Sequence, residues 1–543
     1  MAIRARRALV GLATVAAVLA LPAVASAAIT PALTLNQSSG TTAGTSPATV
    51  GFDAVFAPNP ATDGVKDVTF ALPPGLLANA GINGGACLVA TTPTAACQAG
   101  TGTVTAGGVG VPVTEYLVAA PVGSGAAGGV AIVNNATQQS VTTGAVSLGA
   151  TGLNVAFTNL PAALDISEMN FTLTDLRLPT SCPSPAANVT MTADSQSDST
   201  TKTTTAPLNV SGCSGLPYAP TLSASETKDP KDNGATLAFL ITQAANEAAS
   251  KTIALKLPGG LGINLSADVS CLTGSGSGCT VGTATATSPL VPSAALAKGT
   301  VSLGGTAAAP TITIAFPAPF AITLVGDVNI GSSTVTINNV PDLPLTSLNL
   351  NLTGPNGQKA FTTSCTPSTT TGTFTSQGDV AKSVTANVTL NNCPAVSGSL
   401  SGLAAGHPKL RLKATHGKGG ANIASVAVGL PGGLKFSRSA FVTHKTCGTN
   451  KGKKTCTTVT QIKGLGVSGA SAKSVALRGG KLVITLKKAA GTVSVSLNGP
   501  VLTETKALQT GVKKKKVKSL TVTLNVTDAA HGTTSLPLKL AAH

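Results

Sequence analysis

The chain has 543 residues, 42% of them hydrophobic and only 10% charged, with a formal net charge of +17. It is too apolar to be disordered and too long for one core. With 12 Phe, 2 Tyr and no Trp it offers little for stacking on bases or sugar rings, while 60 Gly and 33 Pro among Ala, Val, Leu and Thr suit many short strands joined by tight turns.

At the N-terminus, Arg4, Arg6 and Arg7 precede an apolar run from about Ala8 to Leu21, and Ala25-Ser26-Ala27 supplies the small residues of a cleavage site. Residues 1–27 therefore read as a signal peptide helix, too short for a comfortable membrane span. No later segment has the length and apolarity of a transmembrane helix, so the exported chain is expected to carry none.

The first strands follow. ATVGFDAVFA (Ala48–Ala57) and KDVTFALP (Lys66–Pro73) alternate apolar and polar residues, the period of half-buried antiparallel strands. The second runs into LPPGL (Leu72–Leu76), then Cys87 and Cys97, then GTGTVTAG (Gly100–Gly107). A later block, Val155–Cys182, ends in a cysteine and is followed by a Thr/Ser-rich stretch and Cys213. The same series returns with LPGGL (Leu257–Leu261), Cys271 and Cys279, VGTATATS (Val281–Ser288), the block Val335–Cys365, and Cys393. It returns a third time, shortened, with LPGGL (Leu430–Leu434), Cys447 and Cys456. KLVITLKK (Lys481–Lys488), GTVSVSLNG (Gly491–Gly499) and SLTVTLNVTD (Ser519–Asp528) then alternate again. No helical period is sustained after the signal peptide; AANEAAS (Ala244–Ser250) makes at most one turn.

These signals predict an all-β chain of tandem immunoglobulin-like β-sandwich domains. The expected units are 28–216, 217–396 and 397–543. The first two are long enough for two sandwiches each, split near 115–125 and 290–300. Each LPxGL follows a strand; proline cannot donate to a ladder and the glycines permit a sharp reversal, so the motif reads as a strand terminator whose leucines close the end of a sandwich. A ligand-binding role for the loop is the second reading.

The third unit drops both cysteines of the second pair and keeps both of the first. Cysteines gained and lost together are expected to be bonded together: Cys87–Cys97, Cys182–Cys213, Cys271–Cys279, Cys365–Cys393 and Cys447–Cys456. Such local loops stabilise by about 3 kcal/mol each in the loop-entropy model, and an even count in an exported chain fits disulfides. Zinc is the competing reading, but no pair has CxxC spacing and the first 406 residues hold no histidine. No metal and no cofactor is expected.

The LPPGL/LPGGL motif with its cysteine pair, the block NNVPDLPLTSLNLNL before a cysteine, and the Lys-rich end from Gly479 to Leu540 resemble uncharacterised secreted repeat proteins of soil actinobacteria. The resemblance implies an extracellular β-sandwich repeat protein. It supplies no activity and no catalytic positions, and this chain lacks the aromatic residues often found in that second block.

No constellation for catalysis emerges. All five histidines (His407, His416, His444, His531 and His543) lie in the last unit, and no nucleophile elbow, HExxH, P-loop or EF-hand spacing is present. His444 lies near Cys447 and reads as a surface histidine beside a disulfide. DPKDNG (Asp229–Gly234) reads as a polar turn before a calcium loop, and Asp165 and Glu168 as solvated loop acids. The chain is not expected to be an enzyme.

Charge is uneven. From residue 397 onward there are 23 Lys and Arg against two acids, Glu504 and Asp528, a net of +21, whereas residues 28–396 carry a net of −7. The cations cluster at Lys409/Arg411/Lys413, Lys451/Lys453/Lys454, Lys487/Lys488 and Lys513/Lys514/Lys515/Lys516 with Lys518. The first cluster alternates, so its charges share one strand face. Such a field attracts polyanions, here anionic cell-wall polymer or an anionic lipid surface, without specific nucleic-acid recognition. The plainer reading is that lysines keep an edge-rich domain soluble. The expectation is a secreted, non-enzymatic cell-envelope or extracellular-matrix protein held by its basic unit. The alternatives are a freely secreted protein binding ligand on loops of the first two units, and an enzyme with an unrecognised site.

Overall fold

The computed structural model describes residues 29–57, 63–149, 152–264, 269–272, 279–450 and 453–543. The expected signal peptide lies outside them. The described chain is nearly all β, in three groups of strands that follow one another in sequence.

The first group holds β1 (Thr30–Asn36), β2 (Ala48–Ala57), β3 (Val65–Ala71), β4 (Leu77–Ala78), β5 (Gln98–Ala106), β6 (Val109–Val118), β7 (Gly128–Asn134), β8 (Ser140–Gly149), β9 (Gly152–Phe157), β10 (Ile166–Arg177), β11 (Asn188–Ser195) and β12 (Lys202–Pro207). They pair in the order β1-β2-β10-β5-β6-β7-β8-β9-β3-β11-β12. The second group holds β13 (Thr221–Lys228), β14 (Gly234–Thr242), β15 (Ser250–Lys256), β16 (Leu261–Ile263), β17 (Cys279–Thr287), β18 (Gly299–Gly305), β19 (Pro310–Ala315), β20 (Thr323–Asn329), β21 (Thr334–Ile337), β22 (Ser347–Leu352), β23 (Phe361–Thr363), β24 (Thr369–Ser376) and β25 (Ala381–Asn391). Its path, β13-β14-β22-β17-β18-β19-β20-β21-β15-β24-β25, repeats the first strand for strand. The stretches 115–125 and 290–300 lie inside these paths, at the connection from β6 to β7 and at the connection from β17 into β18.

In unit 2 the path closes, because β25 runs parallel to β13 with Ala224 opposite Val388. In unit 1 a side chain bridges the seam: Gln37 donates from Nε2 to the Asn209 carbonyl (2.7 Å) and accepts at Oε1 from the Asn209 N–H (2.9 Å). Each path is flattened into two layers over one core. Phe52 of β2 and Phe70 of β3, far apart along the path, meet edge to face with ring centroids 6.3 Å apart. Alternation does this: every second residue of β2, from Ala48 to Phe56, is buried. Each large side chain so buried contributes roughly 1.5–3 kcal/mol.

Register makes the units comparable residue by residue. The β5–β6 and β17–β18 ladders share an irregularity at the same place, so Gly100 opposite Glu115 corresponds to Gly282 opposite Val301. The five disulfides pair Cys87–Cys97, Cys182–Cys213, Cys271–Cys279, Cys365–Cys393 and Cys447–Cys456, the pairs implied by their shared loss in unit 3. Two expectations are corrected. Glu168 is no loop acid: it sits on β10 and accepts from the Thr105 hydroxyl (3.1 Å). Asp165 is partly buried immediately before that strand.

The third group holds β26 (Ala395–Ser401), β27 (Lys409–Thr415), β28 (Ile423–Gly429), β29 (Leu434–Phe436), β30 (Phe441–Asn450), β31 (Lys453–Ile462), β32 (Leu465–Ser468), β33 (Ala472–Arg478), β34 (Lys481–Ala490), β35 (Thr492–Leu497), β36 (Leu502–Glu504), β37 (Ser519–Asp528) and β38 (Thr533–Ala541). A four-stranded sheet, β26-β27-β35-β32, and a five-stranded sheet, β33-β34-β28-β37-β38, share one core. A helix the sequence pattern missed, α1 (Lys506–Lys513), lies before β37. Thr505 caps it, accepting from the Leu508 N–H (3.3 Å), and only Leu508 and Val512 are buried. One i, i+4 pair is too short a period to stand out between lysines.

Candidate polyanion-binding surface

On β27, Leu410, Leu412 and Ala414 point into the core, so Lys409, Arg411 and Lys413 stand together on the outer face. Their neighbours across the ladders are short. Ser401, Ser399 and Ser397 of β26 lie opposite the three cations. Ser496 and Ser494 of β35 lie opposite Arg411 and Lys413. The cations therefore stand among hydroxyls, and Arg411 and Lys413 line an open concavity of about 490 Å³ with Ser397, Ser399, Ser494 and Ser496. The serines were not singled out from sequence, although the repeats SGS and SVS carry them at the same period as the basic residues.

Among the described residues no carboxylate forms an ion pair with this face. Of the two acids in unit 3, Glu504 is kept toward its neutral form by burial, against the pull of His407 and Lys513. Asp528 turns to unit 2. It takes an ion pair from Lys228 (3.0 Å) at Oδ2 and the N–H groups of Ala530 (3.0 Å) and Gly532 (2.9 Å) at Oδ1. The ion pairs among the described residues are Lys66–Asp67, Lys228–Asp528, Lys251–Asp379 and Lys359–Asp229, and none uses a Lys or Arg of unit 3.

The same geometry explains DPKDNG. The Lys228 ammonium, 3% exposed, donates to the carbonyls of Asp229 (3.2 Å) and Asp232 (2.7 Å) as well as to Asp528. The loop wraps a lysine at the junction of units 2 and 3, and its converging oxygens are satisfied by that cation.

The other basic clusters lie on other elements. Lys487 and Lys488 are exposed near the end of β34, in the opposite sheet. Lys513, Lys514, Lys515 and Lys516 surround the end of α1. Lys515 is the residue that stops the helix. Its backbone is left-handed, with φ +55°. Its N–H bonds back to the Val512 carbonyl (2.9 Å), and the Lys516 N–H bonds back to that of Gly511 (2.9 Å). This is the pair of bonds of a Schellman turn, in which glycine is the usual left-handed residue. All four are exposed, around the left-handed reversal at Lys515. Cations at this end also complement the negative end of the helix dipole, a structural use that needs no ligand. Lys518 is exposed just before β37. Lys453 and Lys454 belong to β31, paired with β30, and Lys451 lies outside the described residues. Of the basic clusters, the structure assembles Lys409, Arg411 and Lys413 on one sheet face and distributes the rest. His416 bonds its own turn through Nδ1 and the Gly420 carbonyl (3.2 Å), and His444 stands on β30 opposite Val459.

No family model matches the chain, and no curated protein matches it. Among solved structures it is similar to the native conformation of Escherichia coli alpha-2-macroglobulin, with 10% identity and a TM-score of 0.22, over 95% of this chain but only 22% of that one. It is similar to the collagen binding domain of Erysipelothrix rhusiopathiae surface protein RspB, with 10% identity and a TM-score of 0.16, over 60% of this chain and 92% of that one. It is also similar to a putative membrane anchored protein from Corynebacterium diphtheriae, with 9% identity and a TM-score of 0.17, over 95% of each chain. Likenesses at this level assign no function. Among the described residues no helix is long and apolar enough to cross a membrane.

Proposed function

We propose that the protein is a non-enzymatic component of the cell envelope or extracellular matrix, exported by its N-terminal segment and held on anionic polymer or anionic lipid by unit 3. Five disulfides fit an oxidising compartment outside the cytoplasm. The same reading agrees with the resemblance to secreted repeat proteins of soil actinobacteria. The observation that carries it is electrostatic. Unit 3 has a net charge of +21, one of its acids is half-buried with its carboxyl oxygens shielded, and the other is bound to unit 2. Its field is therefore left for a partner, strongest in consequence where Lys409, Arg411 and Lys413 share one face.

The test is sedimentation of residues 28–543 with anionic and with neutral vesicles and with purified anionic wall polymer. Binding to the anionic targets is expected to vanish near 0.5 M salt, where the Debye length falls to roughly 4 Å. K409S/R411S/K413S is expected to weaken it about tenfold and to lower the salt slope by up to about three. Binding that ignores both salt and the triple substitution sinks the proposal. No binding at all makes the lysines solubility devices.

A further inference from the structure

The three LPxGL ends differ in what covers them. In unit 1 the end is filled by unit 2. Leu290, Val291, Phe320, Ile322 and Leu343, all at most 8% exposed, come from three loop tips of unit 2 and line one apolar space with Leu77, Leu88 and Leu148 of unit 1. The glycines of the motif and of the disulfide loop make room: a Cβ on Gly75 (φ +85°) would meet Asp342 Oδ2 at 2.5 Å, and one on Gly85 (φ +85°) would meet Pro292 Cγ at 2.5 Å. LPPGL is thus more than a strand terminator: it is part of a socket. In unit 3 the matching Gly433 (φ +89°) lies under Leu508 of α1, 3.1 Å from where its Cβ would stand.

Unit 2 has the matching socket, and among the described residues no loop tip of another unit fills it. On β18 Leu303 answers to Leu117 of β6, and Val328 of β20 with Ile330 just after it answer to Val146 and Leu148 of β8. Leu272 follows its cysteine as Leu88 does. Together they line an apolar cavity of about 90 Å³, and among the described residues none from unit 1 or unit 3 takes part. Among the described residues its rim exposes Val269 (57%) and Ile330 (42%). Unit 3 instead joins unit 2 elsewhere, around Lys228 and Cys365.

We propose that the open end of unit 2 is a docking socket for the apolar loop tips of a β-sandwich of the same build, carried by another polypeptide. The occupant is read from the chain itself. The equivalent surface of unit 1, with matching residues at matching register, already forms an interface, and what fills it is a Leu-Val tip and a Phe-Ala-Ile tip, each next to a proline, with Leu343 from a third loop. The tips of unit 2 are engaged within the chain. Unit 1 carries a two-glycine turn and Asn-Ala-Thr-Gln-Gln where those tips would be, so another copy has no spare plug to offer. Isolated exposed apolar residues need no explanation, but an apolar hollow matching a filled one does.

The experiment uses residues 28–543 and a fluorescent peptide of Ile314–Leu324 (IAFPAPFAITL), cyclised across its Ile314–Leu324 cross-strand pair, read by anisotropy. Saturable binding is expected. V269K/I330K should weaken it at least about tenfold, while V109K, an exposed site on unit 1, should leave it unchanged; both changes are on exposed side chains. A peptide carrying F320S/I322S should not bind. Absence of saturable binding overturns the proposal, as does binding indifferent to V269K/I330K. A fluorescent twelve-carbon fatty acid is titrated in parallel; if it binds in a V269K/I330K-sensitive manner and the peptide does not, the socket belongs to acyl chains and the docking proposal falls.

Discussion

Units 1 and 2 run the same path of strands, yet at one matched position unit 1 buries an acid and unit 2 a valine. Glu115 is 1% exposed and Val301 0%. Phe52, Phe70, Phe157 and Phe171 line a cavity of about 50 Å³ together with Glu115. Among the described residues neither carboxyl oxygen receives a hydrogen bond from another residue. Space comes from the next strand: a Cβ on Gly100 or Gly102 would stand 2.8 or 3.1 Å from those oxygens. Unit 2 has Gly282 and Ala284 there, and no acid. Burial pushes Glu115 up to about 8, so it sits in the core as a neutral acid. The difference teaches that the path is set by alternation and turns, while tolerance of a core acid is set locally by what the facing strand leaves out.

The harshest way to break the comparison is to move the acid. Val301→Glu is expected to destabilise unit 2 by about 4 kcal/mol or more, since Ala284 occupies the room that Gly102 leaves in unit 1. Denaturant unfolding followed at Tyr218, in a Tyr116→Phe background, reports it; an unchanged midpoint would mean that the facing glycine is irrelevant. A smaller effect separates the two motif glycines. Gly75→Ala meets both a positive φ and Asp342, which is held by the Thr180 N–H (2.7 Å), the Thr180 hydroxyl (2.6 Å) and the Ser181 N–H (3.1 Å) and cannot yield. A cost of roughly 2–3 kcal/mol is expected, with unit 1 and unit 2 unfolding further apart in calorimetry. Gly260→Ala meets the Thr366 carbonyl at 3.0 Å, with Ser364 and Ser368 at ordinary contact distance, and should cost about 1 kcal/mol or less.

What could be read from the sequence was what repeats or alternates. Lys409, Arg411 and Lys413 fall on one face because period two is written into β27. The disulfides followed from cysteines shared or lost as pairs. Glu115 was legible too, at an inward position between Val113 and Leu117, though it was passed over. The rest depends on neighbours remote in sequence. Thr180 with Asp342 and Lys228 with Asp528 each join a residue to one in the next unit. No local pattern marks such a pair, nor can it say which LPxGL end is covered. Helix α1 escaped because its whole apolar face is two residues. Its end escaped too, because Lys515 takes the left-handed place where a glycine would have marked the stop.

The mildest change returns Glu115 to the state of unit 2. Glu115→Val removes the group that must be kept neutral and leaves an apolar side chain in its place. The sign of its pH dependence follows from the direction of the shift. In the unfolded chain the carboxyl ionises near 4.5, while in unit 1 it holds its proton to about 8. The stability that comes from burying the protonated acid is complete below 4.5, declines as pH rises because the unfolded state alone gives up the proton, and is gone above 8. The valine variant has no such loss. Its advantage should be small at pH 4, grow through neutrality to about 2 kcal/mol or more, and level off above pH 8. Thermal unfolding of parent and variant across that range, read at Tyr116 in a Tyr218→Phe background, gives the curve. A gap that does not widen with pH would mean that the carboxyl finds a partner in solution, such as buried water in the adjoining cavity, and that unit 1 holds an ionised acid where unit 2 holds a valine.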